Sequence, residues 1–554
     1  MANTDEKPVD FRTWIGVLGT MLGAFMAVLD IQITNSSLRD ITGGIAATQD
    51  EGSWISTSYL IGEIITIPLT AWLARVFSVR WYLMVNVTLF LVFSSLCGIA
   101  GSLGQMIVFR ACQGFTGGVM IPMALTIALS TLPKSKQPLG LALFGITATF
   151  GPAIGPSIGG WLTDNYGWPW VFYVNLIPGA LMLCAIFFAV ARAPMHLDQL
   201  REGDWLGIGC MAIGLGSLIA MLEEGQRNDW FGSTFIQYCA LLAAIFIPAF
   251  VLVELRRKKP FVNLRLIASR NLGIASAANF ILGLALYGSV YLLPQYLTIV
   301  QNYDAFQTGQ AMIWVGLPQL LIFPFVPRLM KRIDLRALVS FGALVFAASC
   351  WMNTSMSADY AGNQFMVSNI VRALGQPFTI VPLSALATAL LQTKDAGDGS
   401  AVFNIARNLG GSVGTALLDT IITRREQFHD FQIGAYVNAY RPIVQERVAN
   451  LSTIFLNKGY DAVTATNQAY GQIKDIVRRE AYIMAFDDAF LIVGVSLLIG
   501  AVLVWFCRRQ PRRVAPSPTK PGPIKTGSTQ YSRCFSSCLS PSSLPSCRSR
   551  LVLK

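Results

Sequence analysis

Long apolar segments dominate the sequence and follow one another with only short polar breaks. A bilayer core about 30 Å thick needs roughly 20 apolar residues per helix, and lipid offers no partner for an unpaired backbone group. The pattern therefore predicts an all-α polytopic membrane protein. Charged residues make up only 13% of the chain, whereas a soluble domain contains about 25%, so the composition excludes an ordinary soluble fold.

The apolar windows predict fourteen membrane-spanning helices. They are expected near residues 14–38, 55–77, 82–102, 104–130, 138–163, 169–191, 205–223, 234–254, 272–299, 308–330, 336–353, 364–391, 398–422 and 488–507. Loop charges test this count, because cytoplasmic loops are enriched in Lys and Arg. With a cytoplasmic N-terminus, every short inside loop carries basic residues, and the outside loops carry little beyond Arg39 and Arg227. Both termini are therefore predicted to be cytoplasmic.

An internal similarity predicts how the helices are grouped. Residues 110–115 of the fourth segment have a counterpart at 372–378 in the twelfth, and the glycine-rich fifth segment has a counterpart at 408–414 in the thirteenth. Two related six-helix halves separated by two inserted helices explain this offset. Parallel halves of this kind are the layout of the major facilitator fold, with the substrate site near the midplane between them.

The corresponding domains are a 6+2+6 arrangement followed by a tail. Their predicted bounds are residues 1–200 for the first half, 201–260 for the inserted helices, 261–507 for the second half and 508–554 for the tail. The tail is basic, rich in Ser and Pro and poor in apolar residues, so it is predicted to be disordered.

The segment 423–487 is the one long outside connection. It is too long for a simple loop. Apolar residues mixed with balanced charges in 442–455 and 469–484 predict amphipathic helices. A solvated loop is the alternative.

Ionisable residues inside the predicted spans are candidate functional groups, because each costs about 2.5–3.5 kcal/mol on insertion scales. Those present are Asp30, Glu63, Arg110, Arg372 and Arg407. Burial disfavours the charged form of a carboxylate and a nearby arginine favours it, so Asp30 has the chemistry of a proton switch. The alternatives are that Asp30 only holds helices together, and that Glu63 faces a cavity without titrating.

Two helix faces complete the candidate site. Arg110, Gln113 and Gly117 share one face of the fourth segment by their spacing, which suits the wall of an aqueous cavity. In the fifth segment, glycines recur every four residues and leave one helix face without side chains, so that a neighbouring backbone can approach. Two prolines bend the same helix. A static packing seam is the alternative. The residues of this second motif are Gly145, Gly151, Pro152, Gly155, Pro156, Gly159 and Gly160.

Other chemistry finds little support in the sequence. The cysteines show no zinc or redox spacing, and the two histidines, His196 and His429, lie in predicted loops. No P-loop is present, so an ion gradient is the expected energy source. Most of the net charge of +12 lies in the tail, which argues against nucleic-acid binding. We therefore expect no enzymatic activity, no cofactor and no metal.

Several motifs resemble a known transporter family. The run Arg110-x-x-Gln-Gly and the Gly-Pro-x-x-Gly-Pro-x-x-Gly-Gly helix resemble the fourth-helix and antiporter motifs of the major facilitator superfamily. Stretches at 29–35, 50–59, 168–175 and 291–296 resemble the fourteen-helix drug:proton antiporters of the EmrB/QacA type. One departure is Arg75, which stands where the loop between the second and third helices of that family usually carries an acid. It puts the usual gate at that loop in question.

The resemblance implies roles for individual residues. Asp30 would be the proton-coupling acid with Arg110 as its charge partner, and Glu63 would contribute. Residues implied to line the cavity or contact substrate are Gln113, Asn35, Arg372, Gln376, Arg407 and Asn404.

It also implies partners and a location. The protein would lie in a bacterial inner membrane, bind a small hydrophobic substrate and work with a periplasmic EmrA-like adaptor and an outer-membrane TolC-like channel, with 423–487 as the docking segment. We therefore expect proton-coupled export of hydrophobic toxic compounds. Export of a specific metabolite, such as a fatty acid or siderophore, and a non-transporting membrane scaffold or sensor are the alternatives.

Overall fold

The computed structural model describes residues 10–201, 203–257, 260–388, 391, 395–438 and 440–509. Helices are its only regular secondary structure within these ranges. Nearly all of the tail predicted to be disordered lies outside the described residues. The helices used below are α1 (Phe11–Ser36), α2 (Gln49–Phe77), α3 (Val79–Gly98), α4 (Leu103–Gly117 and Met120–Thr131), α5 (Gln137–Tyr166), α6 (Trp170–Tyr173 and Leu176–Ala189), α7 (Trp205–Glu224), α8 (Thr234–Arg256), α9 (Arg270–Gln301), α10 (Ala305–Ile322 and Val326–Met330), α11 (Leu335–Trp351), α12 (Phe365–Thr388), α13 (Ala396–Tyr436), α14 (Pro442–Asn457) and α15 (Ala462–Leu503).

Every predicted span coincides with a helix, α1–α13 and α15 in chain order. In the described part of the chain, 10 helices are long and apolar enough to cross a membrane, or 11 if the bent α5 is one span. The all-helical membrane fold is thus confirmed. The remaining helices are α10, which is broken, α11, which has 17 residues, and α13, which is rich in glycine and polar residues. For these three, the count of fourteen spans stays a prediction.

The start of α2 lies six residues before the predicted one because of a capping box. The Glu51 backbone N–H donates to the Thr48 hydroxyl at 3.3 Å, and the Thr48 backbone N–H donates to the Glu51 carboxylate at 3.1 Å. These bonds satisfy two backbone donors that a helix start otherwise leaves open. Hydropathy misses this first turn because its residues are polar.

The same packing pattern occurs twice. In the first half, α1 packs on α4, α5 and α6, α2 packs on α4, and α3 packs on α4 and α6. In the second half, α9 packs on α12, α13 and α15, α10 packs on α12, and α11 packs on α12 and α15. Each of these contacts in one half therefore has its counterpart in the other, which is the arrangement expected of two related six-helix units.

The inserted helices lie against the seam between these units. Helices α7 and α8 pack on each other, and α7 also packs on α2 and α13, one from each half. Only 22% of the most apolar window of α8 is buried, so most of that helix faces the lipid. The halves themselves meet mainly through α5 with α10 and α2 with α13.

We call the end of the molecule where α1 begins and α15 ends the terminal face. Here an Arg75 nitrogen of α2 lies 3.0 Å from an Asp398 oxygen of α13. The rings of Trp72 in α2 and Trp205 in α7 meet edge to face with centroids 6.0 Å apart. The departure at Arg75 thus does not remove a contact between the halves. An ion pair in which the first half supplies the cation joins them at this loop.

The segment 423–487 is largely helical. Helix α13 runs past its predicted end to Tyr436, α15 begins at Ala462, and α14 lies between them. Both predicted amphipathic stretches are therefore confirmed as helices: 442–455 lies in α14, whereas 469–484 is the outer part of the span α15. Hydropathy ends these spans early because their outer turns are polar.

This hairpin, formed by α14 and the outer turns of α13 and α15, is held together by charges and a small core. Arg425 and His429 of α13 contact the same Asp488 oxygen of α15 at 2.6 and 2.9 Å. Val448 and Leu451 of α14 pack with Ala469 of α15 in a separate hydrophobic cluster. The hairpin has its own core outside the apolar spans.

Close packing of α9 on α13 depends on glycine. A Cβ atom on Gly410 would overlap the backbone carbonyl oxygen of Phe280 in α9. Backbone atoms cannot move aside as a flexible side chain can. The small residue at this position therefore sets the distance between the two helices.

Gly410→Ala is expected to push α9 and α13 apart and to lower the free energy of unfolding by about 1–3 kcal/mol, as overpacking usually does. Thermal unfolding of the detergent-solubilised protein measures this effect. Gly434→Ala is the matched control, because it lies in the same helix and its added Cβ would meet no atom within 4 Å. Equal melting temperatures for the two variants would contradict the packing argument.

Candidate functional site

An ion pair lies in the interior of the first half. An Arg110 nitrogen of α4 lies 2.6 Å from an Asp30 oxygen of α1, and both side chains are almost completely buried. The structure thus brings together the acid and the arginine that the resemblance pairs. Burying two charges costs several kcal/mol per ion, so the pair needs further hydrogen bonds to be stable.

Gln113 and Asn175 provide these bonds, and Ser94 in turn holds Asn175. Gln113 accepts from Arg110 at 2.8 Å and donates to Asp30 at 3.0 Å. Asn175 donates to the same Asp30 oxygen at 2.5 Å and to the Ser94 hydroxyl at 3.1 Å. The carboxylate therefore has partners on both oxygens. We call Asp30, Arg110, Gln113, Asn175 and Ser94 the Asp30 network.

Asn175 and Ser94 are members of this network that the sequence analysis did not single out as site residues. Asn175 sits at the break between the two parts of α6, and Ser94 lies in the middle of α3. A neutral polar residue in an apolar helix has many packing explanations. Asn175 ends the family-like stretch 168–175, and that resemblance is the sequence signal that could have drawn attention to it.

Aromatic rings and a backbone oxygen complete the surroundings of Arg110. Its guanidinium lies 4.3 Å from the centre of the Tyr59 ring, and its Nε donates to the Ile55 carbonyl at 3.3 Å. Both partners belong to α2. Five of the six helices of the first half, α1, α2, α3, α4 and α6, therefore contribute to one buried charge cluster.

The glycine face of α5 packs on the helix that carries Asp30. A Cβ on Gly151 would meet Val28 of α1 at 3.1 Å, and one on Gly155 would meet Gln32 at 2.5 Å. Gly159 lies against the last turn of α1. The predicted close backbone approach is thus made to the residues on either side of Asp30.

The rest of the motif shapes α5 and joins it to the second half. The helix bends by 44° between its parts 137–152 and 154–166, in the region of Pro152 and Pro156. Gly145 faces Phe323 in the break of α10, and Gly160 is buried. On another side, Gly309 of α10 closely approaches the Ser157 backbone. Helix α5 is therefore packed between α1 of its own half and α10 of the other.

Glu63 lies apart from the Asp30 network, in the seam between the halves. Its carboxylate accepts a hydrogen bond from Asn408 of α13 at 3.0 Å. The neighbouring Arg407 interacts electrostatically with Glu63 and places its guanidinium 5.7 Å from the Phe144 ring of α5. Tyr59 interacts electrostatically with both Glu63 and Asp30. The hydrogen bond of Glu63 thus crosses the seam and does not enter the Asp30 network, although Tyr59 and Arg110 interact electrostatically with both acids.

The other predicted residues occupy different places. Arg372 is buried in the second half, where it donates to the Ser289 carbonyl at 3.4 Å and lies near the Phe346 ring. Gln376 accepts a hydrogen bond from Gln319, which joins α12 to α10.

Two predicted residues make single contacts within their own helix or to the neighbouring helix. Asn404 donates to the Ser400 carbonyl of its own helix at 2.8 Å. Asn35 is exposed and accepts from Ser56 at 2.5 Å. Neither contacts the Asp30 network.

A double-mutant cycle would measure the ion pair. Asp30→Asn or Arg110→Met alone leaves one buried polar group without its charge partner and is expected to cost about 3–5 kcal/mol. The double variant should cost less than the sum of the singles, because it leaves no lone charge. Chemical unfolding in detergent reports these differences.

Arg478→Met is the control for that cycle. Arg478 and Glu426 form an ion pair at 3.3 Å in the hairpin, and the arginine is more than half exposed. An exposed pair contributes about 0–1 kcal/mol. Additive effects of Asp30→Asn and Arg110→Met, or costs as small as that of Arg478→Met, would contradict the coupling of the two residues.

Comparison with known proteins gives consistent results. The family description "Major Facilitator Superfamily" matches residues 20–415. The colistin resistance protein EmrB of Acinetobacter baumannii is 32% identical, over 90% of this chain and 96% of its own. The multidrug export protein EmrB of Escherichia coli K12 is 30% identical, over 91% and 97%. The fatty acid resistance protein FarB of Neisseria gonorrhoeae is 28% identical, over 89% and 96%.

A solved structure supports the fold. The proton:xylose symporter XylE superposes with a TM-score of 0.55 and 13% identity, covering 90% of this chain and 96% of the symporter. At this identity the likeness concerns the fold alone. Together with the family match and the relatives of about equal length, it shows that this multi-pass membrane protein belongs to the major facilitator superfamily, among the transporters that resemble EmrB.

Proposed function

We propose that the protein exports hydrophobic toxic compounds in exchange for protons across a bacterial inner membrane, with the terminal face in the cytoplasm. The names of its EmrB relatives, which are a multidrug export protein and a colistin resistance protein, support the export of toxic compounds. The single observation that carries proton coupling is the Asp30–Arg110 pair buried in the first half. In this pair, Asp30 is a carboxylate whose charge holds several helices in one arrangement.

Protonation of Asp30 changes the forces within this network. A neutral carboxyl group attracts Arg110 less strongly and accepts fewer of the bonds from Gln113 and Asn175. Helices α1, α4 and α6 are then held together less tightly. Because α1 packs on the glycine face of α5, and α5 packs on α10 of the second half, a shift of α1 is transmitted to the contact between the halves.

The substrate is expected in the seam between the halves. Glu63, Asn408 and Arg407 lie there, beside the aromatic ring of Phe144. Arg110 is paired with Asp30 and also interacts electrostatically with Glu63, so a charged substrate at the seam and the proton on Asp30 can influence each other through Arg110. The Arg75–Asp398 pair joins the halves at the terminal face in this structure, and inward opening requires that it break.

Dye efflux from proteoliposomes tests proton coupling. Reconstituted protein is expected to move fluorescent cationic and neutral dyes against a gradient, and a proton uncoupler should abolish the movement. Asp30→Asn should remove the dependence on the proton gradient, whereas Asp30→Glu, which keeps a titratable group, should retain part of it. Asp164→Asn, the same change at an exposed position of α5, is the control and should behave as the unchanged protein.

Two results would reject the proposal. Full proton-driven efflux by a folded Asp30→Asn variant would exclude Asp30 as the coupling acid. If the unchanged protein moved no dye or other compound in a broad panel, a non-transporting scaffold would be the better interpretation.

Export of an anionic amphiphile such as a fatty acid is the second candidate. The relative FarB is named for fatty acid resistance. Arg407 is buried at the seam, and two of its guanidinium nitrogens have no hydrogen-bond partner in the described structure. A carboxylate could fill this place. Arg407→Gln should then reduce transport of a long-chain fatty acid at least tenfold and leave a neutral dye nearly unaffected, as measured in the same vesicles.

We further propose that the hairpin binds a periplasmic adaptor, which passes substrate to an outer-membrane channel. Phe431 and Tyr440 are 79% and 87% exposed there, and such rings are common at protein interfaces. Phe431→Ser with Tyr440→Ser should abolish resistance of cells to a toxic substrate while leaving efflux from proteoliposomes intact. Leu197→Ser, at an exposed apolar position of the terminal face, is the control. Loss of both activities would indicate damage to the transporter itself.

A further inference from the structure

Two buried acids lie at the terminal-face end of the inserted helices. Asp204 directly precedes α7, Glu254 lies in the last turns of α8, and each residue is only 1% exposed. One oxygen of each is hydrogen-bonded. The Gly207 N–H donates to Asp204 Oδ1 at 3.0 Å, and the Val262 N–H donates to Glu254 Oε2 at 3.4 Å.

The other two oxygens converge on one small space. Asp204 Oδ2 and Glu254 Oε1 are buried without a hydrogen-bond partner in the described part of the molecule. A Cβ atom on Gly207 would lie 2.7 Å from the first oxygen and 3.0 Å from the second. The two oxygens therefore lie beside the same point next to Gly207, where glycine contributes no side chain.

The surrounding charges do not balance two ionised carboxylates. Arg257 lies 3.2 Å from Asp204. On the other side, Glu254 interacts electrostatically with Asp398, whose charge is already paired with Arg75. Among the described residues, three acids thus face two arginines. Two adjacent buried carboxylates repel each other, and the usual result is that one of them stays protonated.

We propose that Asp204 and Glu254 hold one proton between them and form a proton-binding site on the inserted helices, separate from Asp30. A single proton makes one of the two unpartnered oxygens a donor and leaves the other an acceptor, so both are satisfied. It also brings the group to two negative and two positive charges.

The position of this site gives it a role in closing the terminal face. Helix α7 packs on α2 and α13, which carry Arg75 and Asp398. Loss of the shared proton adds a negative charge beside Asp398 and draws Arg257 and Arg75 towards two acids at once. The contact between the halves then loosens. The inserted helices thereby make closure of the terminal face sensitive to pH on that side of the membrane.

Infrared difference spectroscopy on the purified full-length protein in lipid tests the proton directly. A protonated buried carboxyl group gives its own stretching band, which shifts in heavy water and disappears on deprotonation. Glu254→Gln and Asp204→Asn should each remove the same single band, because a proton shared between two carboxylates needs both of them. The double variant should remove no further band. Asparagine also caps a helix well, so the start of α7 is preserved in Asp204→Asn.

Other outcomes would overturn the proposal. If each single variant removed a different band and the double variant removed two, the acids would be protonated independently. If no band changed, both would be ionised. Asp198→Asn, at an exposed acid of the same connection, is the control and should leave the buried band unchanged.

A transport measurement tests the role in closure, which rests on the proposed function. Efflux by the unchanged protein should fall at the alkaline pH at which the band disappears, and Glu254→Gln, which is permanently neutral, should keep its efflux to higher pH. An unchanged pH profile would reject the role in closure. The infrared result does not depend on transport, so failure of the proton site and failure of the proposed function are distinguishable.

Discussion

The ion pair between Asp30 and Arg110 imposes the strictest requirement on the structure. Lipid cannot solvate either charge, so every stabilising partner must come from the protein. Gln113, Asn175 and Ser94 meet that requirement only if α1, α3, α4 and α6 come together at one depth. The packing of the first half and its candidate chemistry therefore have the same physical cause. A group that holds so many helices is also one whose protonation can move them.

The two halves share a packing pattern but differ in chemistry. Arg372 occupies in α12 the place that Arg110 occupies in α4, yet its described contacts are a backbone carbonyl and an aromatic ring. The second half instead presents Arg407 and Asn408 to the seam, where Asn408 meets Glu63 of the first half. The shared packing pattern thus gives both halves the same scaffold, and the side chains that differ between the halves give them different chemistry. One half holds a buried acid, and the other contributes polar groups to the space between them.

The inserted helices have a structural role that the two-half description does not anticipate. Helix α7 touches both halves along α2 and α13, so any rocking of the halves must move against it. At its hairpin end, the buried carboxylate of Glu224 accepts from Ser53 and Thr57 of α2 at 2.9 and 2.7 Å. At its terminal-face end it begins with Asp204. The Glu224 hydrogen bonds at one end and the Trp72–Trp205 ring contact at the other hold α7 against α2, whereas α8 is mostly turned to lipid.

The sequence by itself determined the helices and the candidate acid. The membrane spans can be predicted from the sequence because each must be apolar over the thickness of the bilayer. Asp30 and Arg110 stand out because charged residues are rare within such spans. Tertiary structure alone decided which side chains meet. Asn175 joins the network through a break in α6, and Glu63 lies in the seam rather than beside Asp30. Arg75 finds Asp398 more than 300 positions away. Hydropathy evaluates how well each single segment suits lipid. These contacts form between segments, so they exist only once the helices have packed.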